Sequence, residues 1–265
     1  MAIIKKTNPG VRYVHTDQYN IIGHAYHHLG GVEGGDSACW NGHYNYFSKN
    51  KDGVDYVDTF EVKPGAYVRH PHQHPQFNRF GWFYGNPWDG NTSRDQLTGV
   101  LLGIIEAKDK GAMLRMIAHW ALRLFLFAYN SRKNGQLPGE TPWKLPDFTG
   151  PNMWQMALRG FGVFSWIFFI PLCILDLHIL IDTLIVNKSD DDDSINYFGR
   201  LAVSRNHVPT PVSWLALKLL DREHLKSLIR KYWGGLADNE LEPRHRWRDN
   251  PGMYDIHSKA IDELT

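Results

Sequence analysis

Residues 90–111 read GNTSRDQLTGVLLGIIEAKDKG, and the reading of this stretch decides the fold. From Gln96 onward it is an amphipathic helix bounded by Gly111, with apolar residues three and four apart. Its head is unusual. Thr92, Ser93, Arg94, Asp95 and Gln96 are stacked beside a loop rich in Trp and Tyr, whereas capping a helix needs only one such residue.

The same helical spacing recurs along the chain, as in MLRMIAHWALRLFLFAYN (113–130). It predicts helices over 36–48, 93–108, 112–133, 152–161, 163–186, 194–204, 211–220, 222–232 and 253–264. Pro- and Gly-rich punctuation separates them, for example NGQLPGETPWKLPDFTGP (134–151). Residues 49–91 break the pattern with Gly, Pro, Asp, His and aromatics in short alternating runs. They read as a long loop or small hairpin insertion. With no repeat by identity and no linker, residues 1–265 form one all-α domain, with residues 1–35 as an N-terminal arm.

The helix starts differ in a regular way. Those at Asp36, Ser93, Asp147 and Asp193 are polar clusters; those between, such as GAMLRMIAHW and PVSWLALKLL, are plain. In an antiparallel helical-hairpin array, alternate helices begin at the same end. The polar starts would then share one rim, where helix dipoles favour carboxylates or an anionic ligand.

This arrangement resembles the α/α toroid, the helical-hairpin barrel of many glycoside hydrolases and polysaccharide lyases. The motifs GDSA (35–38), YVRHP (67–71), SRDQLTGVLLG (93–103) and DDDDSINYF with PTPVSWLALKLLD (190–221) resemble a poorly characterised family of phage and bacterial genomes. The resemblance covers residues 36–233. It implies the fold and a phage virion or bacterial cytoplasmic setting, and it transfers no catalytic residue. A long loop stands where an outer helix of the first hairpin belongs, so the ring is expected to be incomplete.

Composition narrows the partners. The 29 Lys and Arg balance 28 Asp and Glu, which gives no electrostatic case for nucleic acid or an anionic membrane. The start, MAIIKKTNPG, lacks a signal peptide's apolar core. Cys39 and Cys173 read as buried thiols. No nucleotide, dinucleotide or zinc-type motif is present in the sequence, so no cofactor is expected. FGVFSWIFFIPLCILDLHILIDTLIVN (161–187) is long enough to cross a bilayer, yet it contains Asp176, His178 and Asp182 and a proline at 171. Each mid-membrane Asp costs roughly 2.5–3.5 kcal/mol. The segment is therefore expected as a buried helix of a soluble bundle rather than a membrane span.

Candidate site residues follow from the rim. Asp36 and Asp95 are the acid and base candidates, a pair that glycosidic chemistry needs about 5–9.5 Å apart; the competing role is helix capping. Arg94 opposes its own helix dipole, which predicts a partner, either Asp36 or an anionic ligand. Gln96 and Asp95 would then face the mouth. Trp40, Trp82 and Trp88 would stack on a sugar, with His43 and Arg69 as polar contacts. His70, His72 and His74 alternate along an extended run and could hold a metal or simply pack; Asp190–Asp193 could cap a helix or bind a divalent cation. The function expected is a carbohydrate-active protein of a phage or bacterium with a possible polysaccharide ligand. The alternative is a non-enzymatic virion or tail-associated protein.

Overall fold

The computed structural model of the chain describes residues 3–6, 13–26, 31–33, 36–50, 52–67, 70–71, 94–119, 121–122, 151–186, 191–220, 222–233 and 250–265. The fold is all-α, with small hairpins attached to a helical core. Two antiparallel hairpins occupy the N-terminal arm: β1 (Ile3–Lys6) with β2 (Tyr13–Thr16), and β3 (His24–Tyr26) with β4 (Gly31–Glu33). Helix α1 (Ser37–Ser48) follows, ending at Lys49 in the left-handed conformation. The 49–91 insertion contains a short helix, α2 (Tyr56–Phe60), and a third hairpin, β5 (Glu61–Lys63) with β6 (Ala66–Tyr67).

The stretch quoted first is α3 (Arg94–Ala107). Helix α4 begins at residue 110, where the Asp109 carboxylate caps it by accepting the Ala112 N–H at 2.9 Å. Then come α5 (Pro151–Gly160), a 3₁₀ helix (Gly162–Phe168), α6 (Phe169–Val186), α7 (Asp191–Asn206), α8 (Pro211–Leu219), α9 (Arg222–Trp233) and α10 (Pro251–Leu264).

Three helices make the centre. Residues 37–46 of α1, 96–105 of α3 and 195–204 of α7 are buried without a break, so these helices are surrounded on every side. Small residues let them approach. A Cβ on Gly42 would fall 1.8 Å from the Gly99 carbonyl oxygen, and one on Gly99 would fall 2.3 Å from Cys39 Cα. Gly103 likewise leaves room for the Tyr56 ring of α2.

Contacts between these helices set their direction. Gln96 meets Asp36 and Cys39, and three residues on Gly99 meets Gly42, so α1 and α3 run parallel. Gln155 bonds Ser204 and Arg159 bonds Val208, so α5 and α7 run parallel. Gly199 faces His43 while Asn206 bonds Tyr46, which aligns α7 with α1. Helices α1, α3, α5 and α7 therefore begin towards one end. They also pack directly on one another, α3 touching α1, α5 and α7. Closure into an open ring is not seen among the described residues.

One expectation is corrected. Residues 161–186 are not a buried helix. The first part is the 3₁₀ helix, and across both parts one side packs against the described helices. Leu172, Asp176 and Ile179, spaced four and three apart, face α5, α7 and α8, while Ile167, Ile170 and Ile174 stand 78%, 73% and 64% exposed. Pro171 falls at the start of α6, not in its interior. It lies in the first turn, where a missing N–H leaves no hydrogen bond unmade.

Candidate functional site

The site read from sequence is the end where α1 and α3 begin. Asp36 stands immediately before α1, half-buried, and does not cap its own helix. Its Oδ1 accepts a hydrogen bond from Gln96 Nε2 at 2.7 Å. Gln96 Oε1 accepts the Cys39 N–H at 3.3 Å, one of the first-turn donors that have no partner within the helix. One amide thus ties the two helix starts together. Gln96 is fully buried, so it does not face a mouth as expected; the bridge between α1 and α3 uses both ends of its amide.

Two other expected contact residues are interior. Trp40 is 1% exposed, its indole edge-on to Trp233 at 4.8 Å and its Nε1–H donating to Tyr232 Oη at 3.3 Å. His43 is completely buried on the same face of α1 and meets His257 of α10. Neither offers a surface to a sugar, because α9 and α10 fold back over this side of α1. Arg94 and Asp95 open α3, but their side chains lie outside the described residues, as do Arg69, Trp82 and Trp88. The same holds for His72 and His74 and for the side chains of Asp190–Asp193. Among the described residues, no group of three or more His, Cys, Asp or Glu is placed to hold a metal.

His70 has a structural partner. Its Nε2 lies 2.7 Å from Asp17 Oδ2, with both side chains buried. Asp17 also accepts the N–H groups of Tyr19 and Ile21. Burial raises the Asp17 pKa, but the His70 hydrogen bond and the two N–H donors outweigh it and leave it below the ordinary value. This pair anchors the YVRHP segment to the turn after β2.

The His43–His257 pair has a defined proton arrangement. His257 Nδ1 lies 2.7 Å from the Met253 carbonyl oxygen and must carry a hydrogen to donate there. Its Nε2 is then the acceptor, and His43 Nδ1–H donates to it across 3.2 Å. A second proton would set two donors against each other. Burial agrees: it holds His257 down at about 4 and His43 well below the ordinary imidazole range. Phe47, Phe198 and Trp233 enclose the pair.

The densest polar cluster lies on the inner side of α6. Asp176 accepts hydrogen bonds from Arg159 Nη2 at 2.7 Å, from Ser204 Oγ at 3.2 Å, and from Gln155 Nε2 and Thr210 Oγ1. Arg159 also donates to the Val208 carbonyl. Thr210 caps α8 by accepting the Ser213 N–H, while Ser213 Oγ accepts the Thr210 N–H. The PTPVSW motif is therefore a capping box whose threonine also reaches Asp176. Its members are buried and joined to one another, so the cluster clamps α5–α8 and leaves no face for a substrate. The sequence carried one signal of it, Asp176 in a largely apolar run; the four donors lie 17 to 34 residues away in the chain.

Comparison with known proteins finds no matching family model, no matching curated protein and no matching solved structure.

Proposed function

We propose that the chain is a carbohydrate-active protein of a phage or bacterium, acting at the end where α1, α3, α5 and α7 begin. The observation that carries this reading is the half-buried Asp36 carboxylate, held by the buried Gln96 amide between two parallel helix starts. A carboxylate positioned by a rigid amide, with Asp95 one residue before that amide, supplies the residue types for acid and base work on a glycosidic bond. In this reading Asp95 protonates the leaving oxygen and Asp36 activates the attacking water. Aligned helix N-termini favour anionic groups of a bacterial surface glycan. Trp40 and His43 take no part in binding.

The test is release of reducing ends from bacterial surface polysaccharide by the parent, Asp36→Asn and Asp95→Asn. The expected result is turnover by the parent and at least a ~100-fold loss in each variant, with unchanged melting temperature. Turnover that survives both substitutions would sink the assignment. A second reading, a non-enzymatic virion or tail-associated protein, is favoured by the burial of Trp40 and His43, which makes the aromatic side of α1 scaffold. It predicts no turnover by the parent.

A further inference from the structure

The outer face of residues 162–181 is the feature the rim does not use. This stretch has a mean hydropathy of 2.1 over 20 residues, and only 28% of it is buried. A core helix of a soluble bundle would be covered. Here Phe164, Trp166, Ile167, Ile170, Ile174 and Ile181 stand 46–78% exposed. Helix α8, packed against α6, adds Trp214, Leu215 and Leu219 at 42–53%. Together they expose on the order of 1,000 Å² of apolar surface, against about 300–600 Å² for the largest patch of a typical monomer.

We propose that this face docks on a lipid bilayer surface, with the 3₁₀ helix, α6 and α8 seated in the interface of an anionic membrane. Three observations select lipid over a second protein. First, residues 162–181 contain no Lys, Arg or Glu; their one acid, Asp176, points inward to Arg159, and His178 is their one exposed titratable side chain. Apart from His178, every exposed residue from Val163 to Ile181 is apolar. Second, the arc crosses from three residues per turn to 3.6 at Phe168–Phe169. No single straight partner helix can follow a seam whose period changes midway, whereas a fluid acyl layer needs no register. Third, cations lie at the margins, stacked on rings of the patch itself. Arg205 sits 3.5 Å above the Trp214 ring centroid, and Lys110 Nζ lies 5.4 Å from that of Phe164. Aromatic rings at the boundary with basic groups beside them match the headgroup region of an anionic leaflet. The face lies on the membrane and does not cross it, because the inner side of α6 is occupied by the Asp176 cluster and the helices that supply it.

Flotation of the full chain with phosphatidylcholine vesicles, with and without phosphatidylglycerol, tests this. The chain should float with both and more completely with the anionic vesicles, and added salt should remove that difference. Ile167→Ser and Ile170→Ser should each lower partitioning by about tenfold, the loss expected for one buried aliphatic side chain. Both side chains point outward, so circular dichroism and melting temperature should match the parent. A chain that stays unbound on both vesicle types overturns the proposal. So does a dimer in sedimentation that Ile170→Ser dissociates while vesicle binding is absent, since the face would then belong to a second copy.

Discussion

Removing Asp176 is the sharpest perturbation of the packing. Asp176→Ala leaves the Arg159 guanidinium, 0% exposed, without its carboxylate in a site that water does not reach. It also strips acceptors from Gln155, Ser204 and Thr210. Breaking one side of a buried pair costs about 3–5 kcal/mol, because the remaining charge stays desolvated. Against a typical total of roughly 5–15 kcal/mol this is a large share, and at about 2–4 °C per kcal/mol it lowers the melting temperature by roughly 10 °C. The damage should also spread to the start of α8, since Thr210 caps that helix. Urea unfolding followed by far-UV circular dichroism measures it. Asp176→Ala combined with Arg159→Met removes the stranded charge and should recover about half of the loss, leaving the unpaired hydroxyls and amide to account for the rest. If Asp176→Ala unfolds within about 1 kcal/mol of the parent, the pair is not desolvated and the clamp argument fails.

Two further outcomes test the core. Gly99→Ala puts a methyl 2.3 Å from Cys39 Cα on a neighbouring helix backbone, so α1 and α3 must separate; a loss above about 3 kcal/mol, or failure to fold, is expected, and a parent-like melt would show that the helices do not cross so closely. Stability should fall on acidification below about pH 6.5. Burial holds His257 and His207 at about 4 and His43 below its usual range, so the unfolded chain takes up protons that the folded chain refuses. The contribution is complete above pH 6.5 and is lost as pH falls towards 4, on the order of 3 kcal/mol for His257 alone. His257→Gln should flatten this part of the pH–stability curve, and an unchanged slope would count against a neutral buried pair.

The sequence by itself determined where the helices lie. Apolar spacing with Gly and Pro breaks is a local signal: α1, α3, α5, α7, α8, α9 and α10 lie within a few residues of the predicted spans, and the span 163–186 is the 3₁₀ helix followed by α6. Three- and four-residue strands escaped it, because β1–β4 are too short for alternation to stand out. What only the tertiary structure decided is the environment of each face. Asp36, Trp40, His43 and Gln96 form a polar and aromatic helix start whether that start lines a rim or fills a core. The partners that bury Trp40 and His43 come from residues 192 and 214 positions away. The same holds for residues 162–181. Helical periodicity and hydropathy are identical for a helix wrapped in protein and for one turned towards lipid. The choice lies in which neighbours α6 meets, and among the described residues they cover its Asp176 side.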